Sequence, residues 1–193
     1  MAQIQIKKKI SIRPKQAAGF SFNERAKVTL SWATDTDLDL CVFFKKKDGS
    51  TGGVFSNEYR GRKSDLGYLD KFPFIKHSGD DKEPVSGAES SEEIKIASLE
   101  ELESAYILVV NYTAALEEES VTFSEHSGKL LLQSDNSDQD DLEINVDSTE
   151  EGQVYYVGQI TREGDNYSLS NEGKVLFLGD AFEEIPGFDL ITK

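Results

Sequence analysis

The sequence predicts an all-β fold, a two-sheet antiparallel β-sandwich with one or two short helices. Short apolar or alternating runs recur along the 193 residues, whereas helical signals are confined to two brief segments. Many short strands separated by turn signals are typical of a sandwich or a barrel. No linker or internal repeat divides the chain, so we expect one domain over residues 1–193. The turn signals are Ser127-Gly128, Glu151-Gly152, Glu163-Gly164-Asp165 and Glu172-Gly173.

The first half of the chain predicts strands of alternating pattern and two polar regions. Residues 56–73 carry no periodicity that assigns a structure, and residues 77–93 predict a loop. The predicted strands are Ile4–Ile12 (interrupted at the lysines), Val28–Trp32, Leu38–Phe44, Val54-Phe55 and Phe72–Ile75.

The second half adds a central strand and several shorter ones. Tyr106–Val110 is apolar throughout, which indicates a strand covered on both faces. Ser98–Leu102 is interpreted as a helical turn or a short helix, because Ser98 and Glu101 match a capping box. The tail from Asp180 to Lys193 predicts one further helical turn. The remaining predicted strands are Ile94–Ile96, Val121–Phe123, Leu130–Leu132, Leu142–Val146, Val154–Ile160, Tyr167–Leu169 and Val175–Leu178.

Composition excludes several classes of function. A net charge of −15 argues against binding to a nucleic-acid backbone, which requires a basic face. No apolar run is long enough to span a bilayer, and no apolar segment follows the basic N-terminus as a secretory signal requires. The single cysteine, Cys41, lies in an apolar run and is interpreted as a core residue. We therefore expect a cytoplasmic protein without membrane insertion.

The motifs of common enzyme classes are also missing. The sequence has no glycine-rich phosphate loop, no GxSxG elbow and no HExxH zinc motif. His77 and His126 are far apart in sequence, and the apolar setting of Cys41 does not favour a reactive cysteine–histidine pair. These observations predict a protein that is not an enzyme.

One acidic stretch stands out at the start of the third predicted strand. Leu38, Leu40, Val42 and Phe44 share one face of that strand, and Asp35, Asp37 and Asp39 share the other. Carboxylates about 6.5 Å apart repel one another but can converge on a hard cation such as calcium. The alternative is a charged sheet edge that discourages aggregation. An EF-hand is excluded, because Leu40 and Lys46 replace its glycine and glutamate.

Two acidic elements together resemble the TerD family of tellurium-resistance and stress-response domains. Leu30-Ser31-Trp32 followed by Asp37-Leu38-Asp39 is similar to its Gly-Trp…Phe-Asp-Leu-Asp signature. His77-Ser78-Gly79-Asp80-Asp81 resembles its His-Thr-Gly-Asp-Asn motif, and Glu92-Glu93-Ile94-Lys95-Ile96 resembles its Asp-Asp-Glu-x-Ile-x-Val. The motif matches cover only these short stretches.

The resemblance implies a β-sandwich with calcium bound among the loops at one end. It also implies a non-enzymatic role in bacterial stress responses, including resistance to tellurite, chemical damage or phage. Protein partners are implied, and no small-molecule substrate is. Carried over by position, the implied calcium ligands are Asp37, Asp39, Asp80, Asp81, Glu92 and Glu93.

The chain departs from the family pattern in the second acidic loop. Where the family has a glycine-punctuated segment, this chain has Glu83–Glu92, with Pro84 at its entry and Ser91 in place of an aspartate. Two hypotheses follow: a calcium-binding stress-response module, or a metal-free interaction scaffold that has lost its ion. Carbohydrate binding through Tyr59 and Tyr68 is a third alternative.

Overall fold

A computed structural model describes residues 7–16, 19–33, 36–56, 64–79 and 89–192. Two main sheets pack face to face, which confirms the predicted all-β sandwich. The strands are β1 (Lys9–Ile12), β2 (Ala26–Trp32), β3 (Leu38–Lys46), β4 (Thr51–Val54), β5 (Gly67–Tyr68), β6 (Ile75–His77), β7 (Ser90–Ile96), β8 (Leu102–Asn111), β9 (Val121–Thr122), β10 (Gly128–Ser134), β11 (Asp141–Val146), β12 (Glu151–Gly152), β13 (Val154–Glu163) and β14 (Asn166–Leu176). The helices are α1 (Tyr112–Glu117) and α2 (Leu178–Glu184), with 3₁₀ turns at Phe123–Glu125 and Phe188–Ile191.

The larger sheet, here called sheet A, has seven strands in the order β1-β11-β10-β2-β7-β6-β5. Its neighbours are antiparallel except for β1 and β11, which are parallel. Sheet B has five antiparallel strands in the order β14-β13-β8-β3-β4, and β9 and β12 form a separate pair. None of the helices in the described ranges is both long and apolar enough to cross a membrane.

The main core fills the space between sheets A and B. Alternate residues of β2 (Val28, Leu30 and Trp32) face residues of β3 that are equally buried (Leu38, Leu40 and Val42). This is the apolar face of the third strand that the sequence predicts. Removing apolar surface from water stabilises a fold by about 25 cal/mol per Å², so this interface is the main source of stability.

A second apolar cluster covers the outer face of sheet B. It contains Cys41 and Phe43 of β3, Leu108 of β8, and Phe188 from the C-terminal segment. The Phe43 and Phe188 rings lie 5.2 Å apart in an edge-to-face arrangement. Strands β3 and β8 are therefore buried on both faces, which explains why their sequences are apolar almost throughout.

The sequence predicts a helical turn or a short helix at Ser98–Leu102, but this segment forms a turn without helix. The Ser98 hydroxyl accepts a hydrogen bond from the Glu100 N–H (3.2 Å), and Leu102 N–H donates to the Leu99 carbonyl (2.9 Å). The segment is a tight turn, because Leu102 already begins the extended strand β8. A serine cap that matches a helix start serves equally well in a turn.

The predicted turn at Glu172-Gly173 is also wrong, since both residues lie inside β14. Gly158 of β13 pairs with Asn171 of β14, and Tyr156 pairs with Lys174. Two steps along β13 therefore correspond to three along β14, so β14 carries an extra residue at a bulge. Gly173 has a φ of +56° there, a conformation that glycine adopts without strain. The strands predicted at Tyr167–Leu169 and Val175–Leu178 therefore belong to the single strand β14, which ends at Leu176.

The end of the predicted 77–93 loop and the presence of helix α1 also differ from the sequence prediction. The loop predicted for residues 77–93 ends earlier, because β7 starts at Ser90. Helix α1 was not predicted, since six residues are too few to show helical periodicity. Its N-terminus is capped by Asn111, whose side-chain oxygen accepts from Ala114 N–H (3.0 Å).

Candidate functional site

Two buried carboxylates from different sheets meet at one end of the sandwich. Asp39 of β3 has no exposed surface and Glu92 of β7 is 1% exposed. The Ser56 hydroxyl oxygen lies 2.9 Å from Asp39 Oδ1 and 3.3 Å from Glu92 Oε1. A hydroxyl has a single hydrogen and can donate fully to only one of these oxygens. The arrangement concentrates negative charge at a place removed from water.

Glu92 also holds the two sheets together at the edge of β3. Pairing with β4 ends at Val42, so the Leu40 peptide lies beyond the last β4 partner. Leu40 N–H donates to Glu92 Oε2 (2.7 Å), and the Leu40 carbonyl oxygen lies 3.0 Å from His77 Nε2. Two side chains of sheet A therefore replace the missing backbone partner. Burial without such partners would destabilise the fold, because buried peptide groups need hydrogen bonds.

The contacts of His77 define its tautomer. Gly79 N–H donates to His77 Nδ1 (2.9 Å), so this nitrogen is an acceptor and Nε2 carries the hydrogen. That hydrogen points to the Leu40 carbonyl, and Nε2 also lies 3.4 Å from Glu92 Oε2. Both ring nitrogens are engaged in polar contacts, so the imidazole has a positioning role.

The negative charge of the site acts on two neighbouring groups. Burial raises the pKa of the Cys41 thiol well above its ordinary value, and Asp39 and Glu92 raise it further. Burial likewise raises the pKa of the Tyr112 phenol, with Cys41 and the nearby carboxylates adding to the effect. The thiol therefore stays protonated at neutral pH and is a poor ligand for soft metals. Cys41 packs in the second apolar cluster, and the sequence also predicts it as a core residue.

Asp37 lies at the same end of the sandwich, in the loop that enters β3. Its carbonyl accepts from Tyr112 N–H (3.0 Å), and its N–H donates to Thr113 Oγ1 (3.4 Å). The Trp32 indole N–H fixes the other side of this loop by donating to the Thr36 carbonyl (2.7 Å). Helix α1 and Trp32 together position the half-buried Asp37 two residues before Asp39.

Glu93 is not brought to this cluster. Successive residues of a strand point to opposite faces, and Glu93 lies on the outer face of sheet A. Its carboxylate forms ion pairs with Lys27 (3.4 Å) and Lys95 (3.3 Å). The two remaining predicted ligands, Asp80 and Asp81, lie outside the described residues.

The chemistry of the cluster suits a hard cation. Asp39, Glu92 and Ser56 present carboxylate and hydroxyl oxygens, the ligand type that calcium prefers. Calcium takes six to eight oxygens, so these three residues would supply part of its shell. In the part of the chain that the structure describes, no group of three or more His, Cys, Asp or Glu side chains has an arrangement able to hold a metal ion.

Sequence reasoning did not identify two members of this cluster as site residues. Ser56 opens a polar stretch without periodicity, and no local signal marks it. His77 belongs to the motif that carries the family resemblance, but the sequence placed it in a loop, and the structure places it at the end of β6. Its contact with Leu40 joins residues 37 positions apart, which no local pattern reports.

A second buried histidine at this end of the sandwich is expected to make stability depend on pH. His126 is 7% exposed, and its Nε2 lies 3.3 Å from Asn111 Nδ2. Burial lowers the pKa of His126, an effect that Glu125 opposes. As pH falls, His126 takes up a proton in the unfolded chain near its ordinary pKa of about 6.5, and in the folded chain only at a lower pH. The contribution of neutral His126 to stability is thus fully present above that pH and is lost as pH falls toward the lower folded pKa.

We expect wild-type protein to lose stability between pH 7.5 and pH 5.5 relative to the variant His126→Gln, which cannot titrate. Protonation would also break the contact with Asn111, the residue that caps α1. Urea unfolding of both proteins at the two pH values measures the difference, and the comparison removes the shared contribution of the carboxylates. Parallel pH dependence of the two proteins would contradict this assignment.

Comparison with known proteins adds nothing to the description of this site. The sequence matches no protein-family model, and the search of curated proteins gives no significant relative.

Proposed function

We propose that this chain is a non-enzymatic, cytoplasmic calcium-binding module of the stress-response type, of the tellurite- and chemical-damage-resistance kind, that acts through protein partners. The observation that carries the proposal is the pair of buried carboxylates, Asp39 and Glu92, that meet on Ser56. The short motifs shared with the TerD family support it, because Asp39 and Glu92 belong to them.

The energetic argument concerns the burial of charge. Removing one carboxylate from water carries an effective penalty of several kcal/mol, and an adjacent carboxylate adds repulsion. A calcium ion between Asp39 and Glu92 would offset both terms and would add ligand bonds to Ser56. Ion occupancy would then order the loops at this end of the sandwich and so create a surface for a partner.

Besides Ser56, the proposed ligands come from three parts of the chain. Asp37 and Asp39 enter from the start of β3, and Glu92 enters from β7. Glu92 Oε1 shares the Ser56 hydroxyl with Asp39, while Oε2 accepts from Leu40 N–H. Asp80 and Asp81 follow Gly79 directly in the sequence. We leave Glu93 out of this ligand set, because its ion pairs with two lysines lie on the other face of β7.

A metal-free interaction scaffold is the second candidate. The observation that favours it is that Glu92 and His77 already satisfy both polar groups of the Leu40 peptide. A structural role of this kind needs no ion. The two candidates differ in their response to calcium.

Excess calcium is expected to raise the unfolding temperature of the wild-type protein over that in chelator. A ligand at a hundredfold excess over its Kd stabilises the native state by about 2.7 kcal/mol. For a chain of this size, that corresponds to a rise of about 5–10 °C. We expect magnesium to give a much smaller rise, because it demands a compact octahedral shell. Thermal unfolding followed by circular dichroism measures all three conditions.

The variant Glu92→Gln tests the site while preserving its shape. It should lose the calcium-induced rise, since an amide binds calcium less well than a carboxylate, and it keeps an acceptor for Leu40 N–H. Glu93→Gln is the matched control, with the same charge change one residue further along β7, and should keep the rise. An absent rise in the wild type favours the metal-free scaffold. An equal rise in Glu92→Gln would show that calcium binds elsewhere and would contradict the proposed site.

A further inference from the structure

Three lysines lie side by side on the outer face of sheet A, although the chain as a whole is strongly acidic. Lys27, Lys95 and Lys76 stand directly opposite one another on the neighbouring strands β2, β7 and β6. We call these three residues the lysine row. Their side chains face solvent, with Lys27 39% and Lys95 57% exposed. Like charges directly opposite in a sheet are destabilising, so the row is unfavourable for the isolated fold.

The charges of the row are compensated only in part. A single carboxylate, Glu93, forms ion pairs with both Lys27 and Lys95. Lys76 has no ion pair within the described ranges. Arg25 precedes β2 and is also exposed, one position before the strand that carries Lys27. The row therefore keeps positive charge available for an external acidic group.

A cavity of about 620 Å³ adjoins the row at the end where β2 begins and β7 ends. Arg25, Lys27 and Lys95 form part of its wall, and Leu69 and Ala97 add apolar surface. The aliphatic stems of the lysines extend that apolar surface. Asp70, Asp135 and Asp141 also line the cavity. Together with Lys7 and the three cations already named they leave its charges nearly balanced, so it suits an apolar side chain better than a charged one.

The spacing of the row indicates the shape of the partner. Adjacent strands lie about 4.8 Å apart, so the three lysines span about 9.6 Å. Residues i and i+7 of an α-helix are about 10.5 Å apart along its axis, with i+3 or i+4 between them on the same face. Three alternate residues of an extended strand would span about 13 Å, which fits less well.

We infer that the lysine row and the adjoining cavity form the docking surface for an acidic α-helix of a partner protein. Carboxylates at positions i, i+3 or i+4, and i+7 of that helix contact Lys27, Lys95 and Lys76, and an apolar residue enters the cavity. This inference rests on the proposed role as a partner-binding module and names its surface. The surface is distinct from the Asp39–Glu92 cluster, because the two lie on opposite faces of sheet A.

The test uses two fluorescein-labelled, alanine-based helical peptides of identical composition. One carries glutamates at i, i+4 and i+7 next to a leucine, and the other distributes them around the helix. Fluorescence anisotropy is expected to show tighter binding of the first peptide, weakened by added salt. The variant Lys95→Gln, in the middle of the row, should weaken binding about fivefold, the upper range for an exposed ion pair.

Lys129→Gln is the matched control, because Lys129 is an exposed lysine of the same sheet in β10. It should leave binding unchanged within about twofold, which is less than one exposed ion pair contributes. The variant Lys76→Gln should weaken binding while the protein unfolds at the same temperature or higher, since it removes a like-charge contact. Equal binding of the two peptides, no binding of either, or an equal loss in Lys129→Gln overturns the inference.

The same titrations in calcium and in chelator separate this inference from the proposed calcium site. Binding that depends on Lys95 in both conditions supports the lysine row even when thermal unfolding shows no response to calcium. A calcium response without peptide binding supports the calcium site and overturns the docking surface.

Discussion

Replacing Glu92 with alanine is expected to lower the free energy of unfolding by about 3 kcal/mol in the presence of chelator. The substitution removes the acceptor of Leu40 N–H, which lies in the sandwich interior and has no β4 residue opposite it. It also removes a contact of the Ser56 hydroxyl and leaves a cavity between the sheets. Relief of repulsion with Asp39 offsets part of this loss. Urea unfolding measures the difference.

Two further variants isolate the cause of that loss. Glu92→Gln retains a carbonyl acceptor for Leu40 and should stay within about 1 kcal/mol of the wild type. Glu93→Ala removes only ion pairs at the surface of sheet A and should change stability by at most about 1 kcal/mol. If Glu92→Ala destabilised the protein no more than Glu93→Ala, the structural role of Glu92 would be refuted.

Replacing Phe188 with alanine should lower the free energy of unfolding by about 3–5 kcal/mol. Phe188 is fully buried, and its ring lies 5.2 Å from that of Phe43 and 5.1 Å from that of Phe182. These contacts join the C-terminal segment to the outer face of sheet B. Loss of the ring leaves a cavity that the 3₁₀ turn around it cannot close fully.

Cys41 provides a second measurement of the same change, because it lies in the same apolar cluster. Its thiol is fully buried, so a thiol reagent modifies it only when the protein opens. A loss of about 3 kcal/mol should accelerate labelling on the order of a hundredfold if opening is global. Phe177→Ala is the control, since Phe177 is 47% exposed and its truncation should cost at most about 0.5 kcal/mol. Equal labelling rates in both variants would contradict the proposed role of Phe188.

Much of the fold could be predicted from local sequence pattern. Alternation in β2 and β3 identified both strands and the face that each presents to the core. The continuous apolar run in β8 indicated a strand covered on both sides. The main core covers one face of β8 and the second apolar cluster covers the other. These predictions succeeded because alternation depends only on neighbouring residues. Gly173 misled the prediction, since glycine favours a bulge as well as a turn.

The candidate site depended on tertiary structure to a greater extent. The sequence singled out Asp39 and Glu92 as acidic residues but could not show that they are both buried and share Ser56. It also grouped Glu93 with Glu92, and the structure places the two on opposite faces of β7.

The sequence by itself determined the sandwich class, most of the longer strands and the inward face of β3. The tertiary structure alone decided that Glu92 closes the edge of β3, a contact between residues 52 positions apart. It also decided that three lysines from separate strands form one row. The physical reason is that side-chain alternation is set within a strand, whereas strand order, register and sheet packing are set by the combined burial of the whole chain.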